Sequence, residues 1–382
     1  MDVDSELLEG TAVQARDAAE LLQRRQPVKI GVIPALGAGL QTMAATGQAA
    51  RLLRHLAWYR ELGDVSFFSY LEESGPDLLV PCRKPAWPAR RYALCLPFLE
   101  PEIRRADVLR CLNLLGAVPA IVARLAFGVP FIFSYGADYK AIARLHGRSH
   151  QHLIKWTWLE RVAFRWAAAV LVSNPMLAAR LQARYPRAKI ISHGNWVDTR
   201  LFCPDGNSAP AGQNPGPILY VGRLVKEKNL LPLATIAWVT PRWTVRLVGE
   251  GPLAEGFRRL RCQVPGPIPW ERLPEEYRAA GVFCLPSLTE GNPKALLEAM
   301  ACGTPVAVSD RVEGVIRHGE TGLVFVAEDQ RSLLDALRRV LSDRKLARTL
   351  GSAAREWVGA HHNVDVLMPR ELEIIRAAAF KK

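Results

Sequence analysis

From Val28 onward the chain repeats one unit: a short apolar run, a polar loop, then an amphipathic stretch at helical spacing. The runs are VKIGVI from Val28, VSFFSY from Val65, VLRCL from Val108, PFIFS from Pro130 and VLVS from Val170. Between them lie stretches such as Met43–Leu62, where Ala50, Leu53, Ala57 and Leu62 are spaced for one helix face. Strands that alternate with helices pair in parallel, because each return to the same sheet edge needs a crossover. The repetition is interrupted once, by DGNSAPAGQNPGP (205–217), a Gly, Pro and Asn cluster without apolar periodicity. It then restarts with ILYVG from Ile218, VRLVG from Val245, VFCLP from Val282, PVAVS from Pro305 and GLVFV from Gly322. The expected fold class is therefore α/β, with two doubly wound domains at 27–204 and 218–360. Residues 205–217 form the linker, residues 1–26 an extension, and 361–382 a final helical segment. Ligands of such sheets sit at the carboxyl ends of the strands, and paired domains form a cleft there.

Composition narrows the partners. The 382 residues carry a net charge of +13, unevenly placed: residues 27–190 hold 22 Lys+Arg against 10 Asp+Glu, and 191–382 hold 25 against 21. An anionic partner is expected mainly on the first domain. The seven cysteines include no CxxC pair, which argues against a disulfide framework or structural zinc and for a reducing compartment. The acidic start MDVDSELLEG is unlike a secretory signal, and Leu114 to Phe133 is broken by Pro119, Arg124 and Pro130. The expected location is cytoplasmic, peripheral at the inner face of the membrane.

The densest chemistry lies in LPSLTEGNPKALLEAMACGTPVAVSD, Leu285 to Asp310. Asn292 is suited to cap a helix with Pro293 at its first position, and the unpaired N–H groups there suit a diphosphate. Glu290 and Glu298 straddle that helix start and can reach two hydroxyl-bearing parts of one ligand. Upstream, ILYVGRLVKEKN presents Gly222, Arg223 and Lys228 at the carboxyl end of a strand, a fork and a point charge for a diphosphate. VRLVGEGPLAEG places Gly249 and Glu250 after the next strand, and PALGAGLQTM places Gly37 and Gly39 after the first.

These segments resemble the signature of family-four glycosyltransferases, the retaining nucleotide-sugar transferases of the GT-B fold. The likeness is strongest from Gly194 to Trp357 and covers most of the chain from Val28. It implies two Rossmann-like domains facing across a cleft, with the last segment crossing back to the first domain. It implies that Glu290 contacts the donor sugar and that Glu298 holds the ribose. It also implies that Arg223 and Lys228 stabilise the departing diphosphate. Gly291, Asn292, Pro293, Gly222, Gly249, Glu250, Gly37 and Gly39 would complete the donor site. The ISHGNWVDTRLFCP segment resembles the family's connector, with Trp196 where Gly is usual and with Asn195 and Asp198 holding the turn. Many members carry a His after the fourth strand of the first domain. Here Tyr135 or Gly136 takes its place, and Tyr135 and Asp138 are the candidates for sugar or acceptor contact.

The resemblance implies a nucleotide-sugar donor and no metal or cofactor, and no nucleic acid is expected. The acceptor is expected to be anionic or lipid-linked. An anionic membrane surface could contact PCRKPAWPARRYAL, with Arg51 and Arg54 joining it. Along Lys155–Trp166 the spacing of Trp156, Leu159, Ala163 and Trp166 predicts a core stripe instead. The alternatives are a nucleotide-sugar epimerase or hydrolase of the same fold, an oxidoreductase using the Gly249 loop, and a basic membrane-binding scaffold without catalysis.

Overall fold

The structure is a computed structural model that describes residues 26–136, 139–204 and 216–380, apart from 46, 146 and 148. The extension, most of the linker and Asp138 lie outside the described residues. The first sheet holds β1 (Ile30–Ile33), β2 (Val65–Phe68), β3 (Leu79–Val80), β4 (Val108–Cys111), β5 (Phe131–Tyr135), β6 (Ala169–Val172) and β7 (Ile190–Ser192). The second holds β8 (Ile218–Val221), β9 (Val245–Val248), β10 (Gln263–Gly266), β11 (Val282–Leu285), β12 (Val306–Ser309) and β13 (Leu323–Phe325). Their orders are β3-β2-β1-β4-β5-β6-β7 and β10-β9-β8-β11-β12-β13, and every pairing is parallel. Both orders reverse direction beside the first strand, the place where doubly wound sheets open a crevice. All four residues of β1, β6, β11 and β12 are buried, because helices cover both faces of a parallel sheet.

The three strands not among the runs named from the sequence, β3, β7 and β10, each lie at a sheet edge and are half-exposed. An edge strand has one neighbour and little to bury, so its sequence need not be hydrophobic. The expected helix over Met43–Leu62 is two helices, Leu40–Ala45 and Ala49–Arg60, parted by a turn at Gly47. Its inner face also differs from the expected stripe. Leu52, Leu56 and Tyr59 are buried together with Arg51, whereas Leu53 is 36% exposed. The long side chains fill the space against the sheet, and the small residues in the expected stripe cannot. On helix His150–Trp166, Ala163 is buried and Trp156 stacks on Tyr139 at 5.1 Å, but Trp166 is 40% exposed.

Two chain segments cross between the sheets. Val197 exchanges backbone hydrogen bonds with His362 and Val364, donating to the former and accepting from the latter at 2.8 and 2.9 Å. Helix Arg344–His362 packs on the second domain. After Asn363, helix Val364–Ala379 packs on β4, β5 and helix Ala49–Arg60 of the first. The cleft is therefore bounded by both domains and by this returning helix.

Candidate active site

Between the carboxyl ends of β8, β9 and β11 lies a cavity of about 360 Å³ lined by Gly222, Arg223, Lys228, Gly249, Glu250, Glu290 and Glu298. Its floor depends on close backbone approach. Gly249 has φ 133°, and a Cβ there would lie 2.0 Å from the Gly222 carbonyl oxygen, so no side chain fits. Pro267, Ile268 and Trp270 line one flank. Arg223 is exposed and makes a loose contact, 3.4 Å, with buried Glu227, so its guanidinium can swing onto a ligand. Lys228 donates to Glu290, which also accepts from Ser287 at 2.9 Å. The residue after Lys228, Asn229, is left-handed (φ 50°), and its amide donates to the Ala327 carbonyl at 3.0 Å, which fixes the lysine loop.

Glu298 is held differently. It is 4% exposed, and its carboxylate accepts from Arg51 (2.8 Å), Trp270 (3.1 Å) and Tyr277 (2.9 Å). Burial raises the Tyr277 phenol well above its ordinary value, so it stays a donor. Arg51 comes from the other domain and lies over Trp196, 4.9 Å from the ring centre. The expected placing of Arg51 on an exposed contact surface is therefore corrected: it is buried and joins the two domains through Glu298. Arg54 pairs with fully buried Asp198, whose carboxylate also accepts from the Arg200 and Leu201 amides of its own turn.

The helix cap is likewise corrected. Helix Lys294–Ala301 starts one residue later than expected, with Pro293 as its cap. Asn292 is drawn away because its side chain accepts from the Asn195 amide at 2.9 Å while its carbonyl accepts from the Asn195 side chain. Asn174 donates to the Gly291 carbonyl at 3.2 Å. The loop carrying Glu290 is thus clasped by first-domain asparagines.

A second cavity, about 320 Å³, opens on the first-domain side and is lined in part by His55, Arg110, Ser134, Gly136, His193 and Glu371. Sequence reasoning missed its central group. Glu371, on the returning helix, accepts from Tyr59 (2.6 Å) and from Arg110 (2.8 Å), and His55 lies 3.5 Å away. Burial pushes the Glu371 carboxyl up, but Arg110 and the histidines outweigh it and hold it well below the usual carboxylate range. Burial lowers His55. One signal was available: Arg110 is the only charge in the apolar run VLRCL.

The first-domain candidates fare unevenly. Tyr135 is 1% exposed and packs on Phe164, its hydroxyl donating to Glu160 at 3.0 Å; it belongs to the core and faces away from the cleft. Side chains alternate along a strand, and Gly136, the next residue, lines the cavity instead. Gly37 and Gly39 line neither cavity. The amides of Leu40 and Gln41 beside them donate to Glu73, both at 2.8 Å, and a Cβ on Gly39 would meet that carboxylate at 2.5 Å. An internal anion takes the helix start expected for a diphosphate. Among the described residues no group of three or more His, Cys, Asp or Glu is placed to hold a metal.

Residues 207–357 match the family model of glycosyl transferases group 1. The chain is 32% identical to a sulfoquinovosyl transferase of Arabidopsis thaliana over 257 residues, 62% of the chain and 50% of the relative. It thus spans half the length of that relative. Its fold is that of a sucrose-phosphate synthase from Thermosynechococcus elongatus (TM-score 0.72, 22% identity, 92% of this chain and 98% of that one). It is also that of Anabaena HepE in complex with UDP-glucose (TM-score 0.69, 16% identity, 91% and 98%). The fold is GT-B: two Rossmann-like domains across a cleft.

Proposed function

We propose that the chain transfers a sugar from a nucleoside-diphosphate sugar to an acceptor with retention of configuration. One observation carries this reading: Arg223, Lys228, Glu290 and Glu298 converge on one cavity in a GT-B cleft. The first-turn N–H groups of helix Lys294–Ala301 have no intrahelical acceptor, and Pro293, Lys294 and Ala295 line the same space. A diphosphate seated there takes Lys228 from Glu290 and draws in Arg223, and the freed Glu290 accepts from a sugar hydroxyl. As the sugar–phosphate bond breaks, negative charge grows on the leaving oxygen where these cations already stand. The acceptor attacks from the face the diphosphate leaves, and the departing phosphate takes its proton. Pro267, Ile268 and Trp270 would flank the base, with ribose toward Glu298. No metal or cofactor is assigned a role.

The acceptor is placed on the first domain, at an anionic membrane surface. Helices Ala89–Leu99, Ala117–Phe127 and His150–Trp166 pack side by side and expose Leu94, Phe98, Leu125, Ile154 and Trp158. Arg104 lies over Phe127, and Lys155, Arg161 and Arg165 are exposed nearby in sequence. Apolar side chains among cations suit an interface with acidic lipid. No described helix is long and apolar enough to cross a membrane.

Calorimetry with UDP, GDP and ADP, followed by mass spectrometry of products from UDP-glucose and candidate acceptors, tests the donor reading. Absence of binding by all three nucleotides would defeat it. Sedimentation with phosphatidylserine vesicles at low salt tests the surface; no association there removes the membrane part alone.

A further inference from the structure

Among the described residues, the Lys and Arg side chains that line the two cavities are engaged, with one exception. Arg51 is engaged with Glu298, Arg110 with Glu371 and Lys228 with Glu290, and Arg223 rests against Glu227. Lys294 stands in the same space with its side chain exposed to the cleft and no hydrogen bond or ion pair to any described residue. Only Gln48, Arg51 and Lys294 line both described cavities, so Lys294 sits where the cavity with the diphosphate-binding residues meets the first-domain cavity.

The ammonium stands at an unfavourable point. It occupies the first position of a helix, where the dipole disfavours a cation. Arg51 repels it, and this repulsion together with partial desolvation inside the cleft brings its pKa down to about 7, despite opposing attraction from Glu298 and Glu371. Its electrostatic influence is felt by His55 on the first domain. The groups acting on it are Arg51, Glu298 and Glu371, and none is Arg223, Lys228 or Glu290. Its charge thus belongs to the junction and the first-domain cavity more than to the cations already assigned to the leaving group.

Resting on the glycosyl-transfer reading, we infer that Lys294 is a specificity residue: it recognises an anionic substituent, phosphate, carboxylate or sulfonate, carried into the junction by the acceptor or by the donor sugar. The bound anion supplies the counter-charge that the chain lacks there. Gly136 lies on the cavity wall with nothing within 4 Å of a Cβ built on it, which leaves room beside the junction for such a substituent.

The test compares matched ligands on the full chain. Glucose 6-phosphate against glucose and inositol 1-phosphate against inositol probe the acceptor side; UDP-glucuronate against UDP-glucose probes the donor side. Binding is measured by calorimetry at pH 6.5 for the wild type, Lys294→Met and Lys294→Arg. The wild type should bind the charged member of at least one pair about 10–100-fold more tightly, the range of a charge-assisted hydrogen bond. Lys294→Met should erase that preference, Lys294→Arg should keep most of it, and the pair that responds identifies the source of the anion. The inference is overturned if no charged ligand is preferred, if Lys294→Met retains the preference, or if Lys294→Met weakens UDP as much as Arg223→Ala does. Failure of the wild type to bind any nucleoside diphosphate counts against the transferase reading instead.

Discussion

The two walls of the cleft are built on opposite plans. The second-domain wall takes its chemistry from short, contiguous loops, and its cations are less buried: Arg223 is exposed, and Lys228 shares the half-buried Glu290 carboxylate with Ser287. The first-domain wall takes its charges from residues far apart in sequence. Arg51, Arg110 and Glu371 are each 7% exposed or less and tightly hydrogen-bonded. A loosely paired cation can be given to a ligand at small cost. A buried, fully engaged pair cannot, because taking one partner away leaves a desolvated charge. The comparison therefore assigns ligand exchange to one wall and rigidity to the other.

The largest expected effect would break the comparison on the rigid side. Glu371→Gln leaves Arg110 without its counter-charge and should cost about 3–5 kcal/mol of stability; urea denaturation measures it, and a loss under 1 kcal/mol would show that this wall is not held by the pair. Next, Arg223→Ala should lower turnover by about 10²–10³, the loss of one charge-stabilising donor, without a change in denaturation midpoint. Unchanged turnover would remove Arg223 from the leaving-group site. Arg51→Met joins both walls: it should cost about 1–3 kcal/mol by stripping a charged donor from Glu298. It should also raise the pKa of Lys294 by removing its strongest repulsion, seen by NMR of the labelled ammonium.

The smallest effect is a slope. Lys294 titrates near 7 in the folded chain and near its ordinary 10.5 when unfolded. The unfolded state therefore binds more protons between these values, and this group's contribution to stability rises with pH from about 7 to about 10. Denaturation across that range should show a gentler rise for Lys294→Met than for the wild type. Identical slopes would mean that the lysine titrates freely in both states.

The legibility of the site follows the same division. Glu290, Glu298, Arg223 and Lys228 were readable because two strand-to-helix segments deliver them as two pairs, each pair closely spaced in sequence after β8 or β11. Arg51 and Glu371 were not, because each acquires its partner from a distant element: Arg51 reaches Glu298 across the cleft, and the returning helix carries Glu371 onto Arg110. Asn292 illustrates the limit at one residue. Its local sequence favours a helix cap, but Asn195 of the first domain donates two hydrogen bonds to it instead.

By itself the sequence determined two parallel α/β sheets, the break between them and four residues that line one cavity, since periodicity and loop chemistry act within a few residues. Only the tertiary structure decided which of the Lys and Arg residues lining the cleft are neutralised and which one, among the described residues, stands unpaired. Charge pairing depends on distances of a few ångströms between segments hundreds of residues apart, such as the 247 separating Arg51 from Glu298, and no local pattern encodes that separation.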